Sequence, residues 1–424
     1  MSTASTLPRR EVRRNFLLGV YNGAAFEFAE RLLDPPLILT WFVSQLTSSN
    51  LLIGLVAPLG DAGWFLPQIF VSTRIQGMPR KMPSYTFASA VRILCWLSLA
   101  AAVWLVNDPG WLLGVFFGLY ALARLSAGLA GLAFFDIVAK TIPARRRGSY
   151  FAWRQMLGNV LGLGASSVVA LVLGHAELAF PRGHAVLFGL YTAVIVSAMG
   201  AFMLVREPPG AAVAGVASTR RQLRRARQVL REDAGFRRYM AVRLLLGLTG
   251  IALPFYGVYA RQVLGAPASI VGLYVAARVA AQLLFNLPWG RLSDRRGNRL
   301  ALQLLTLGNG LTLLSALALI SLVGLFQWQG SWLPYLVLPL FFMDGAIRPA
   351  QTLVGSNFLL ELVPEAERPL YLGLSNTLMG VVVLLSGLGG LVVDGLGFTG
   401  LFALALGVCG LAYAGSRGLP EPRG

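Results

Sequence analysis

The sequence predicts an all-α polytopic membrane protein, with twelve transmembrane helices in two pseudo-symmetric six-helix bundles. Three observations predict it: the apolar composition, the spacing of apolar stretches, and the side on which basic residues fall. Of 424 residues, 56% are hydrophobic and 13% charged, and the mean hydropathy is +0.66. Soluble domains carry roughly 25% charged residues, so a soluble fold of this length could not cover its apolar surface. Disorder, which needs low hydropathy, is excluded too. The two cysteines, Cys95 and Cys409, lie inside apolar runs and rule out a disulfide scaffold.

A span needs about 20 mostly apolar residues to cross the hydrocarbon. On that scale spans are read at 16–45, 51–73, 83–106, 111–138, 149–173 and 184–205, then at 239–262, 268–290, 300–323, 332–360, 370–393 and 398–416. The first is too long and too charged for a cleavable signal. With both termini cytoplasmic, 27 of the 36 basic residues fall inside, one (Arg182) outside and eight within spans. That asymmetry sets the orientation. The net charge of +18 therefore reads as positive-inside bias, with the lipid bilayer as partner and no nucleic acid. Arginine far outnumbers lysine beside abundant Ala, Leu and Gly, which suits a GC-rich bacterial genome and a bacterial inner (plasma) membrane.

The chain divides into an N-terminal bundle (1–205), a cytoplasmic linker (206–238) and a C-terminal bundle (239–424). Pro208-Pro209 and the small residues to Ser218 read as tether. Thr219 then caps a basic amphipathic helix, with Leu223, Ala226 and Leu230 on one face and Arg220, Arg221, Arg224, Arg225 and Arg227 able to rest on anionic headgroups; a solvated tether is the alternative. The halves repeat. Arg147-Gly-Ser-Tyr150 parallels Arg368-Pro-Leu-Tyr371, Ile53-Gly54-Leu55 parallels Val271-Gly272-Leu273, and Arg124 parallels Arg348.

After span 8 the chain reads Gly290-Arg-Leu-Ser-Asp294-Arg295-Arg-Gly297-Asn-Arg299. This resembles the signature loop of the major facilitator superfamily, and with the 6+6 repeat the resemblance covers nearly the whole chain. It implies that Gly290, Asp294, Arg295, Gly297 and Arg299 form a conformational latch, Asp294 meeting arginines and a helix N-terminus. The first-half counterpart, Ser72–Lys81, departs from the pattern: Ser72, Gln76 and Pro79 replace Gly, Asp and Gly, so a latch there is weakened or differently made. Arg124-Leu-Ser-Ala-Gly128 resembles the arginine-and-glycine motif of proton-coupled antiporters, with Ala127 in place of its glutamine.

Ionisable groups at bilayer depth cost about 3 kcal/mol or more and must face a cavity or a partner. Glu27, Glu30, Arg31 and Asp34 crowd span 1 before Pro35-Pro36, a pair that should bend the helix. Asp61 lies in span 2, Arg124 in span 4, Arg278 in span 8, and Asp344 and Arg348 in span 10. The resemblance implies that spans 1, 4, 7 and 10 line a central cavity, making these residues the expected substrate and proton site. Glu30 is the first candidate proton carrier and Glu27 the second, because paired buried carboxyls titrate near neutrality. Arg92, Arg154 and Asp136 read as a structural group. Of Tyr21, Trp64, Tyr256, Tyr259 and Tyr274, Tyr256 is taken as a site residue. Gly158, Gly162 and Gly164, and Gly387, Gly389 and Gly390, should allow close helix contacts, and Pro254 and Pro288 should ease bends.

No phosphate loop is present, and His175 and His184 make no metal cluster, so no cofactor or metal is expected and the chain is not expected to be an enzyme. The resemblance implies a secondary transporter working by alternating access, a monomer that takes a small-molecule substrate with the proton as coupling ion. The preferred form is proton-coupled export of a small organic or drug-like solute. A nutrient uniporter or symporter, and a non-transporting receptor or assembly factor, are the alternatives.

Overall fold

The computed structural model describes residues 8–66, 78–210, 219–363 and 367–419. Among them all regular structure is helical. In chain order the helices are α1 (Arg9–Leu32), α2 (Thr40–Leu46), α3 (Asn50–Phe65), α4 (Met82–Leu105), α5 (Pro109–Thr141), α6 (Ala144–Gly174) and α7 (Arg182–Met203). The linker helix α8 (Thr219–Glu232) follows, then α9 (Ala234–Thr249), α10 (Leu253–Gln262), α11 (Ile270–Arg296), α12 (Asn298–Phe326), α13 (Leu338–Leu362), α14 (Arg368–Ser386) and α15 (Gly389–Arg417). Among the described residues, eight helical stretches are long and apolar enough to cross a membrane, and two shorter apolar helices, Asn50–Phe65 and Leu370–Ser386, accompany them. Large apolar side chains such as Leu105 and Leu325 stand exposed, as expected where lipid is the solvent.

The expected span boundaries have visible causes. Span 1 is broken: Leu33 leaves helical geometry, and a widened turn over Pro35–Leu39 precedes α2. Pro35 and Pro36 have no N–H to offer the ladder, and Thr40 Oγ1 donates to the Pro35 carbonyl at 2.9 Å, satisfying one freed acceptor. Span 7 changes helix type over Gly250–Ala252, just before Pro254. By contrast α11 runs unbroken through Pro288 to Arg296. The break between spans 11 and 12 falls at Gly397, whose φ of 68° and ψ of −178° suit only glycine.

The chain forms two compact units, Met1–Asp34 with Gly63–Thr219, and Pro35–Ala62 with Arg220–Gly424. The unit boundary thus falls at the proline break rather than only in the central linker. Within the first unit α1 packs on α6 and α7, and α4 on α5 and α7; within the second, α11 packs on α13, and α12 and α9 on α15. The repeat is visible in each unit separately. Tyr150 meets the Phe16 ring edge-on at 5.6 Å, and Tyr371 meets Phe236 in the same way at 4.7 Å. Each tyrosine opens one helix and wedges against the first helix of its own half.

The linker helix covers Thr219–Glu232, and it does not lie free. Val229, one position off the expected apolar face, is buried in the second unit's core beside Phe236 and Phe358, with Leu230 packed on it. Arg225 pairs with Glu367 at 2.5 Å. A thin apolar stripe is better covered by protein than by headgroups. Residues 211–218 of the tether lie outside the described residues.

Candidate functional site

The span 1 acids occupy two arrangements, both in the first unit. Glu30 on α1 is held by three donors: Arg92 Nη2 from α4 at 2.7 Å, Tyr191 OH from α7 at 2.9 Å and Arg124 Nη1 from α5 at 3.2 Å. Arg92 also donates to Tyr191 OH at 2.7 Å, closing a ring of charge-assisted bonds, and is itself 2% exposed. Arg31, the next residue along, lies between Glu27 and Asp34, each at 3.7 Å. Those distances are ion pairs without close hydrogen bonds, and the Glu27 side chain is 32% exposed.

Glu27 lines a cavity of about 320 Å³ in the same unit, a size used for small-molecule sites. Its walls include the aromatic residues Phe26, Trp64, Tyr85, Phe134, Phe135 and Phe151, with Asn22, Arg92, Arg154 and Gln155 supplying polar groups. Glycines make the approach possible. A Cβ on Gly158 would lie 2.6 Å from Glu27 Cβ, and one on Gly128 would lie 2.6 Å from the Trp64 carbonyl oxygen. The glycine of the Arg124–Gly128 motif therefore lets α5 close on α3. Gly164 meets nothing and serves no contact.

The expected pairing of Arg92 and Arg154 with Asp136 is not found among the described residues. Asp136 instead pairs with Lys140 one turn along α5 at 2.7 Å. Arg92 completes the Glu30 site, and Arg154 enters the cavity wall. Asp61 is exposed and joins neither cluster. Tyr256 is buried against Phe341 and Phe402 in the second unit.

In the second unit Arg278 Nε donates to Asp344 Oδ2 at 2.6 Å, and Arg278 is 1% exposed. Gly345 lies against the Arg278 backbone so closely that a Cβ would overlap it. Arg348 is half-buried on the same helix. A small-residue contact is also made by Gly387 and Gly390, which lie against Leu55 and the Asn50 backbone, and by Gly389 against Ile251.

The signature segment is helical through Gly290, Asp294 and Arg295 to Arg296, and turns at Gly297, with φ 83° and ψ 164°. That backbone region admits little but glycine. Asp294 and Arg295 are exposed on the last turn. Beneath them Ser293 meets Asn298 at 2.6 Å, and Asn298 Nδ2 donates to Glu361 at 2.7 Å. Arg299 donates to the Arg417 carbonyl at 2.6 Å, a cation on the last turn of α15.

Ser72 and Gln76 of the degenerate counterpart lie outside the described residues. The start of α4 is held by Glu207 from the linker. Its carboxylate accepts from the Lys81 N–H at 2.8 Å and the Met82 N–H at 2.7 Å, and pairs with Lys140 at 3.0 Å. Burial pushes the Lys81 ammonium down, opposed by Asp136 and Glu207 and reinforced by Lys140. Because α4 has no cap of its own, Glu207→Ala should cost about 1–2 kcal/mol. Hydrogen exchange at the first turn of α4 is the readout, and unchanged protection there would refute the capping role.

Residues 239–423 match the family model of the Major Facilitator Superfamily. Uncharacterized proteins of Mycobacterium tuberculosis and Mycobacterium bovis are 27% identical over 261 residues, 60% of this chain and 48% of theirs. The chain thus spans about half the length of these curated relatives. Among solved structures, the nucleoside transporter NupG aligns with a TM-score of 0.72 at 12% identity, over 96% of this chain and 99% of that one. A POT family transporter in complex with 5-aminolevulinic acid aligns at 0.71 with 13% identity, over 96% and 95%. A D-xylose–proton symporter aligns at 0.69 with 16% identity, over 97% and 98%. At these identities the likeness is one of fold.

Proposed function

We propose that this chain is a member of the Major Facilitator Superfamily and exports a small organic solute in exchange for protons, as a monomer of twelve spans in a bacterial inner membrane with both termini cytoplasmic. The first-unit cavity is the solute site, and the two halves alternate access to it. The observation that carries this reading is the contrast between two acids three residues apart. Glu30 is enclosed by three donors, whereas Glu27 faces the cavity with one cation at 3.7 Å. A group that must gain and lose a proton needs access and few fixed donors, so Glu27 takes the role of proton carrier and Glu30 that of a fixed anchor. The same fold in a D-xylose–proton symporter is compatible with proton coupling.

The test uses proteoliposomes with a panel of fluorescent organic solutes, ethidium, 1-naphthoate and fluorescein, and an imposed proton gradient. The native protein should drive at least one solute uphill against the proton flow. Glu27→Gln should abolish gradient-driven flux while leaving solute exchange without a gradient within about threefold of native, since a neutral mimic keeps the cavity but not the titration. Native-like gradient-driven flux in Glu27→Gln would remove Glu27 from the coupling step. Uphill movement in the same direction as the protons would make the protein a symporter.

A further inference from the structure

The charge count around the first-unit cavity does not close. Away from the cytoplasmic ends, the first unit embeds four guanidinium groups, Arg31, Arg92, Arg124 and Arg154, against three carboxylates, Glu27, Glu30 and Asp34. Glu30 answers Arg92 and Arg124, and Glu27 and Asp34 both answer Arg31. Arg154 has no acidic partner among the described residues. Its bonds run to neutral acceptors, the Gly19 carbonyl, Asn22 Oδ1 at 3.0 Å and Tyr150 OH at 3.3 Å, and all of them leave from one nitrogen, Nη1. Nε and Nη2 keep three N–H groups without a protein acceptor, on a side chain that lines the cavity.

The surroundings fix this guanidinium rather than neutralise it. It lies over the Phe134 ring at 4.7 Å and the Tyr150 ring at 5.4 Å. Gly23 opposite leaves the room: a Cβ there would fall 2.6 Å from Nε. Ring faces attract a cation but supply no full charge. A cation held in an apolar wall with a free fork of donors is preorganised for a planar anion, since the guanidinium fork matches a carboxylate bidentately.

We infer that the solute of this cavity is an organic monoanion with an aromatic or otherwise flat apolar body, its acid group on Arg154 and its body among Phe26, Trp64, Phe135 and Phe151. The inference rests on the reading of this cavity as the solute site, and it adds the solute's charge and Arg154 as the residue that selects it. A monoanion closes the charge count, whereas a cation would add to the surplus.

Three probes with one ring system separate the possibilities: 2-naphthoate, 2-naphthamide and the ammonium form of 2-(aminomethyl)naphthalene. Binding to the purified full-length protein is measured by calorimetry and by thermal shift, neither of which needs a gradient. The carboxylate should bind roughly ten- to a hundred-fold more tightly than the amide, the ratio expected for a charge-assisted pair, and the ammonium should bind most weakly. Arg154→Gln, which keeps hydrogen-bonding capacity, should bring carboxylate and amide within about threefold of each other, and Arg154→Lys should retain part of the preference. Arg154→Lys also serves as the folding control. Equal binding of carboxylate and amide by the native protein, a preference for the ammonium, a preference that survives Arg154→Gln, or no binding of any probe would each overturn the inference. A protein that binds the carboxylate selectively but carries no solute in vesicles would instead defeat the transport reading and leave the site standing.

Discussion

Glu30→Ala should lower the stability of the protein by about 3–5 kcal/mol, the cost of breaking a buried ion pair from one side. The carboxylate is the acceptor for Arg92 at 2.7 Å, Arg124 at 3.2 Å and Tyr191 at 2.9 Å. Its removal leaves Arg92, 2% exposed, with a charge and no acid to meet it. The Tyr191 ring is packed on Trp96 at 4.5 Å, so neither partner can swing out to a new one without opening the core. Glu27→Ala, three residues away on the same helix, should cost less than about 1 kcal/mol, because Glu27 is 32% exposed, its pair is long at 3.7 Å, and the buried Arg31 keeps Asp34 at the same distance. Thermal unfolding of both variants in the same detergent is the measurement. Equal losses would mean that the Glu30 ring does not fix α1 against α4, α5 and α7. A large loss in Glu27→Ala would also move the structural anchor away from Glu30, and with it the division of labour between the two acids.

The parts of this molecule that depend on chain length and local chemistry were legible in its sequence. Apolar run lengths located the helices, the proline pair located the break in span 1, and the gap left between spans 11 and 12 coincides with the backbone turn at Gly397. The face that a given side chain occupies was less legible. Span 3 is apolar around most of its circumference, so nothing in its spacing said that Arg92 points at Glu30 rather than toward a loop. Tyr191 carried no signal at all, since one tyrosine in an apolar helix is usual. The link between Asp136 and Lys140 did have a signal, the four-residue spacing of opposite charges on one helix. Glu207 was beyond reach for a different reason: it caps a helix 125 residues earlier in the chain, and no local pattern announces a cap supplied from that distance.

Asp344→Ala should cost a similar 3–5 kcal/mol in the second unit, and here a neighbouring glycine gives a sharper test of why. Arg278 is 1% exposed and donates to Asp344 at 2.6 Å. Next to Asp344, Gly345 places its Cα against the Arg278 main chain, leaving no space for a methyl group. The contact is backbone to backbone, so Gly345→Ala cannot be absorbed by a rotamer change and must push α11 away from α13. That overpacking alone should cost about 1–3 kcal/mol. Separating the helices also lengthens the Arg278–Asp344 bond, so the two substitutions should not add. The double variant should be more stable than the sum of the single losses predicts, by about 0.5–3 kcal/mol, as for residues sharing one contact. Additivity within about 0.3 kcal/mol would show that the ion pair tolerates the displaced helix, and the close glycine contact would then serve packing alone. Strong coupling would tie the two features together: a residue without a side chain sets the helix spacing at which a buried arginine and its carboxylate can meet.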